Sequence, residues 1–167
     1  MLSEKYPDEI RAIFAKYPED QKRSAVMPLL YLAQREEGYI NKTAMKDIAG
    51  MLGLDVTEVA AIVGFYTLYH DHKAGKYRMQ VCNDLPCALR GADEFLSSLC
   101  DNLGIQVGET TPDGLVTLEA VMCLAACDKA PMFQMQSPEE ISYHENMTVD
   151  KTMELIEALK ASGKDVA

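Results

Sequence analysis

The chain has 167 residues, 48% of them hydrophobic and 25% charged, with a formal net charge of −10 and a pI near 4.7. A composition this apolar can bury a core and excludes wholesale disorder. The acidic balance makes nucleic acid and anionic membrane poor partners. The longest nearly unbroken apolar run, residues 59–69, falls far short of the roughly 18–20 residues of a spanning helix, so no direct membrane insertion is expected.

Residues 1–9 are acidic and lack an apolar stretch, which fits neither a secretory signal nor an Arg-rich transit peptide. The first 75 residues read as a helical N-terminal bundle. Ile10, Ile13, Phe14 and Tyr17 repeat at helical spacing behind Pro7. A second helix is expected over about 20–37, with Val26, Leu29, Leu30, Leu32 and Ala33 inward and Gly38 ending it. Pro28 either kinks that helix or marks its true first turn. A third helix covers about 43–52 and stops at Gly53. A fourth opens on Asp55 and Glu58, a capping-box pattern, and carries Val59, Ile62, Val63 and Tyr66.

The polar stretch 70–75, closed by Gly75, is read as the boundary between two modules, 1–75 and 76–167. Beyond it the period changes. Tyr77, Met79 and Val81 alternate with Arg78 and Gln80, the pattern of a half-buried strand. Leu89, Ala92, Leu96, Leu99, Cys100 and Leu103 form a helical stripe closed by Gly104. A turn at 111–114 leads to a strand over 115–121, followed by a hairpin of 132–136 and 141–145 around Ser137 and Pro138. A last helix starts at Thr148, buries Met153, Ile156 and Leu159, and fades at Gly163. The order strand–helix–strand–strand–strand–helix is that of an α/β layer. This second module holds 15 acids and 7 bases, against 11 and 9 in the first, so it carries most of the negative charge.

Five cysteines in a reducing compartment are better read as a site plus a spare thiol than as disulfides. Cys82 and Cys87 have C-x₄-C spacing, and Cys123 and Cys127 have C-x₃-C spacing. Cys82 closes the first strand, Cys87 opens the following helix, and the second pair lies in the loop after the second strand. Parallel neighbouring strands would bring both loops to one end of the sheet. Three chemistries fit four thiols at one spot: a 2Fe–2S cluster, a structural zinc ion, or two disulfides. A thioredoxin-type dithiol is disfavoured because C-x-x-C is absent.

The surroundings lean toward iron and sulfide. Such a cluster with four thiolates carries a net −2, or −3 after taking one electron. Backbone amides beyond Cys87 and in the loop of Leu124, Ala125 and Ala126 are candidate donors to sulfur. Ala88, Ala125 and Ala126 are small enough for that approach. Arg90, one turn from Cys87, either offsets negative charge or is an ordinary exposed helix arginine. The acidic module opposes the added electron and pushes the reduction potential down.

The motifs VCNDLPCALRG at 81–91, GETTPDG at 108–114 and CLAACDKAP at 123–131, with AQREEG at 33–38 and GFYTLY at 64–69 upstream, cover nearly the whole chain. Together they resemble the family of small thioredoxin-like 2Fe–2S ferredoxin subunits of NADH-quinone oxidoreductase, respiratory complex I. The resemblance implies a helical N-terminal bundle followed by a thioredoxin-like 2Fe–2S domain of βαβ-ββα order. It implies one cluster held by Cys82, Cys87, Cys123 and Cys127. It also implies docking on a larger subunit that binds FMN and NADH, with electrons exchanged between cluster and flavin. The implied location is cytoplasmic, peripheral to the inner membrane through the assembled complex. No glycine-rich phosphate loop occurs here, so this chain alone is not expected to oxidise NADH. The same motifs also suit diaphorase subunits of NAD-linked hydrogenases and formate dehydrogenases. The family often has glycine between the second cysteine pair, where this chain has Ala125 and Ala126.

Other features have plainer readings. Cys100 is expected to be a core thiol. His70 and His72 are read as solvated linker residues, and His144 as a strand decoration. Residues 43–66 have helix-turn-helix spacing, but the second helix offers no base to a phosphate, which favours a packed bundle. The bond before Pro131 can be cis or trans. A zinc-stapled interaction module and a thiol–disulfide enzyme are the rival functions.

Overall fold

Helix boundaries in the N-terminal half follow capping chemistry. The computed structural model describes residues 1–137 and 140–162, and the chain divides into two compact units, Met1–Lys73 and Ala74–Ala167. In the first unit, α1 (Leu2–Lys5), a turn that the spacing of apolar residues does not announce, precedes α2 (Pro7–Phe14) with Pro7 in its first turn. Residues 19–25 form a 3₁₀ helix and α3 runs over Val26–Glu37. The expected single helix over 20–37 is therefore two. Pro28 sits in the first turn of α3, where its missing N–H has no intrahelical partner to lose. Gly38 ends α3 at φ +76°, a conformation that costs glycine little.

The Asn41 side chain caps α4 (Lys42–Leu52) by accepting from the Ala44 amide at 2.8 Å. Asp55 caps α5 (Val56–Phe65): its carboxylate accepts from the Thr57 amide at 2.8 Å, and Glu58 reaches back to the Asp55 amide at 3.0 Å. Leu29, Leu30, Ile40, Ile48 and Val59 are fully buried among these helices. Tyr66 lies past the end of α5 and is exposed, contrary to its expected place on the inward stripe. His70 is buried rather than solvated: its carbonyl accepts from the Ile40 amide at 2.7 Å, and its amide donates to Gln34 Oε1 at 2.8 Å.

The second unit is a four-stranded sheet with helices. Its strands are β1 (Tyr77–Cys82), β2 (Val116–Val121), β3 (Phe133–Gln136) and β4 (Ile141–His144), in spatial order β2-β1-β3-β4. β1 pairs parallel with β2 and antiparallel with β3, and β3 pairs antiparallel with β4. Between β1 and β2 lie α6 (Leu85–Ala88) and α7 (Ala92–Leu103), and α8 (Val149–Ala161) follows β4. Met79, Val81, Leu118, Phe133 and Met135 share one core with Phe95, Leu99 and Ile156 from α7 and α8. Cys100 is half-buried against that core.

β1 is buried on both faces, which corrects the half-buried reading. As an interior strand it needs partners for its polar side chains, and it has them. Arg78 pairs with Glu119, Gln80 donates to Glu119 Oε2 at 2.9 Å, and Gln134 donates to Gln80 Oε1 at 2.9 Å. This hydrogen-bonded row crosses β2, β1 and β3. A second correction concerns the helical stripe: Gly91, at φ +88°, separates α6 from α7, and Leu89 is 80% exposed outside the core. The hairpin's Ser137 donates its amide to the Glu140 carbonyl at 2.9 Å; its expected centre at Pro138 and the helix end at Gly163 lie outside the described residues. Thr148 caps α8 through the Lys151 amide. Among the described residues no single helix is long and apolar enough to cross a membrane; α4 and α5 meet that measure only as a pair bent by 119°.

Candidate metal centre

The parallel pairing of β1 and β2 decides where the cysteines go. Cys82, the last residue of β1, stands opposite Val121, the last of β2, so the chain leaves both strands at the same end. From β1 it enters α6, whose first turn is set by Asp84: the carboxylate accepts from the Leu85 amide at 2.9 Å and the carbonyl from the Cys87 amide at 2.8 Å. The amides beyond Cys87, expected as donors to sulfur, instead serve this turn: those of Ala88, Leu89 and Arg90 donate to the Asp84, Leu85 and Cys87 carbonyls at 2.9, 3.0 and 3.0 Å. From β2 the chain enters the loop 123–127, which closes in a 3₁₀ turn over Cys127–Lys129.

The four thiols meet. Cys82 and Cys87 are each only 1% exposed and share an apolar pocket with Ala92, Ala130 and Met132. Cys82 and Cys127 are near enough to Cys87 to act on its thiol. Cys123 is exposed, and its sulfur lies 3.6 Å from that of Cys127. All four are free of disulfides. Burial first, then the neighbouring Cys82, pushes the Cys87 thiol up to about 12. The hydrogen bond with Cys123 heads the causes that raise Cys127. As bare thiolates these groups would repel one another in a poorly hydrated spot; soft cations remove that penalty.

The donor set fits a metal–sulfur group. Two thiolates on one tetrahedral metal, each at about 2.3 Å, lie roughly 3.8 Å apart, close to the separation of Cys123 and Cys127. Among the described residues no group of three or more His, Cys, Asp or Glu side chains is already arranged to hold a metal ion, so the thiols stand near one another without a formed ion site. The Ala125 amide donates to the Cys123 sulfur at 3.4 Å, as expected of this loop. Ala125 does so in the left-handed conformation, φ +60°, which an L-residue rarely adopts.

Downstream, the Asn146 and Met147 amides donate to the Lys129 and Pro131 carbonyls at 2.7 and 2.8 Å, and the Ala130–Pro131 bond is cis. Arg90 is exposed and donates through Nε to the Ala130 carbonyl at 3.3 Å, so it braces this segment. Sequence reasoning missed Tyr143. Its hydroxyl donates to the Leu124 carbonyl at 3.0 Å, and nothing in a strand pattern marks a tyrosine for that contact. His144 stacks on Phe133 with centroids 4.9 Å apart, away from any ligand role.

A model of the family "Thioredoxin-like [2Fe-2S] ferredoxin" matches residues 10–160. The chain belongs to that family. An NADH-quinone oxidoreductase subunit of Rhizobium meliloti is 38% identical, over 93% of this chain and 89% of its own length. Subunit 2 of the Thermus thermophilus enzyme is 40% identical, over 92% and 83%. The mitochondrial NADH dehydrogenase [ubiquinone] flavoprotein 2 of Dictyostelium discoideum is 39% identical, over 91% and 60%. The resemblance to the small 2Fe–2S subunits of NADH-quinone oxidoreductase is thus borne out over most of the chain. Among solved structures, an NAD+-reducing [NiFe]-hydrogenase in the air-oxidised state superposes with a TM-score of 0.66 at 19% identity, over 81% of this chain and 23% of that one. That likeness concerns the fold, and it agrees with the thioredoxin-like α/β architecture expected for this family.

Proposed function

We propose that this member of the family is an electron-transfer subunit of an NADH-quinone oxidoreductase, and that Cys82, Cys87, Cys123 and Cys127 hold its single 2Fe–2S cluster. The observation that carries the reading is the nearness of four free thiols at one sheet end, two buried, one half-buried and one exposed, within a chain of this family. When bound, such a cluster accepts and releases one electron at a time. The chain's own residues supply the rest. β1 and α6 hold Cys82 and Cys87 in an apolar pocket, and the Ala125 amide donates to Cys123.

In this reading the cluster exchanges electrons with FMN on a larger NADH-binding subunit, and that assembly holds the chain peripheral to the membrane. Two observations support a partner at this end of the sheet. Cys123 is exposed, and Leu85, Leu89 and Met122 are exposed apolar residues beside the ligands in the chain. Apolar patches of this kind are commonly covered by partners. A role in an NAD-linked hydrogenase or formate dehydrogenase rests on likeness of fold and motif alone. Co-expression with a larger flavin-binding subunit tests the proposal. NADH should bleach the visible absorption of the cluster in the complex and leave the isolated chain unchanged. Bleaching of the isolated chain at the same rate, or failure of the two chains to associate, would overturn it.

A further inference from the structure

Tyr143 is two strands away from β1 in the sheet, yet it reaches the loop of the second cysteine pair. The register explains how: Gln80 faces Gln134 across β1 and β3, and Gln134 faces Tyr143 across β3 and β4. Alternation along β1 puts Cys82 on the same face as Gln80, so Tyr143 shares the face on which the thiols gather. From there its hydroxyl donates to the Leu124 carbonyl at 3.0 Å.

That carbonyl belongs to the same planar peptide unit as the Ala125 N–H. In a trans peptide the two groups point in opposite directions, so fixing one fixes the other. The Ala125 N–H is the group that donates to the Cys123 sulfur at 3.4 Å. The unit leads into a residue at φ +60°, a conformation alanine does not favour unless neighbouring contacts hold it. We infer that Tyr143 is a positioning residue for the cluster: it locks the Leu124–Ala125 peptide so that its N–H stays on the Cys123 sulfur. Hydrogen bonds to ligand sulfur are among the determinants of an iron–sulfur reduction potential. A donor there withdraws negative charge from sulfur and favours the reduced cluster, so Tyr143 raises the potential without touching a ligand.

The inference rests on the four-cysteine reading, and its test separates the two. The full chain and its Tyr143→Phe variant are reconstituted anaerobically with iron and sulfide, checked for equal iron content and equal thermal stability, and titrated with a chemical reductant. Tyr143→Phe keeps the ring and removes only the hydroxyl. The variant should have a lower midpoint potential and a severalfold faster loss of iron to a chelator. Tyr143→Trp, which keeps an aromatic ring on β4 without that hydroxyl contact, should behave as Tyr143→Phe does. Equal potentials in wild type and both variants would overturn the inference while leaving the cluster assignment standing. A wild-type chain that takes up no iron–sulfur cluster would overturn the cluster reading and this inference with it.

Discussion

Each cysteine differs in what its surroundings allow. Burial first, then the neighbouring Cys82, favours the protonated Cys87 thiol, so a metal bound there would have to displace its proton. Cys100, packed against the sheet core, has no such neighbours among the hydrogen bonds of the described residues and behaves as a small apolar side chain. Cys100→Ser should therefore keep the visible and circular-dichroism spectrum of the reconstituted chain, whereas Cys87→Ser should lose it. A Cys100→Ser protein that folds but lacks the spectrum would contradict the assignment. Ala125 is the other residue whose local state matters. Its left-handed backbone costs an L-residue about 1–2 kcal/mol, and the hydrogen bonds of Tyr143 and Cys123 to either side of the preceding peptide offset that strain.

Among the elements, α1 and the junction at Tyr6 are tied to α3 by the Glu36 carboxylate, while Glu9 of α2 pairs with Arg35 at 2.7 Å. Glu36 accepts from Lys5 at 2.5 Å and from the Tyr6 hydroxyl, and these hydrogen bonds hold its carboxyl below the usual range. A depressed folded value contributes stability above the unfolded value of about 4.3, and that contribution is lost as pH falls through the folded one. Glu36→Gln should therefore flatten the decline in Tm below about pH 4.3. An unchanged slope in a thermal-melt series from about pH 6 to about pH 3 would show that this contact does not govern the acid response.

Most elements were legible in the sequence because their signals are local: the capping box at Asp55, the helix start at Thr148, stops at Gly38, Gly53 and Gly104, and the alternation of β1. The misreadings came from context. Periodicity could not show that β1 lies between two other strands, which is what buries Arg78 and Gln80 against Glu119. Nor could it show that Gly91 would break the stripe and leave Leu89 outside. At the site, the cysteine spacing and the parallel strands made the meeting of two loops readable. Tyr143 was not readable, because its contact depends on a register two strands away.

At the scale of the whole chain, the acidic second unit would lower the reduction potential of the proposed cluster. Its 15 acids against 7 bases oppose an added electron, and the amide at Cys123 works the other way. The helical unit exposes Phe65, Leu68 and Tyr31, large apolar side chains well suited to contact within a larger assembly. The proposed role draws on both units: one holds the redox site, and the other offers surface.

The most direct test is an elemental count on the purified full chain after anaerobic reconstitution, read alongside low-temperature electron paramagnetic resonance of the reduced sample. About two irons and two acid-labile sulfides per chain, with a signal from one reduced 2Fe–2S centre, is the expected result. One zinc per chain with no sulfide, in a colourless protein, would contradict it.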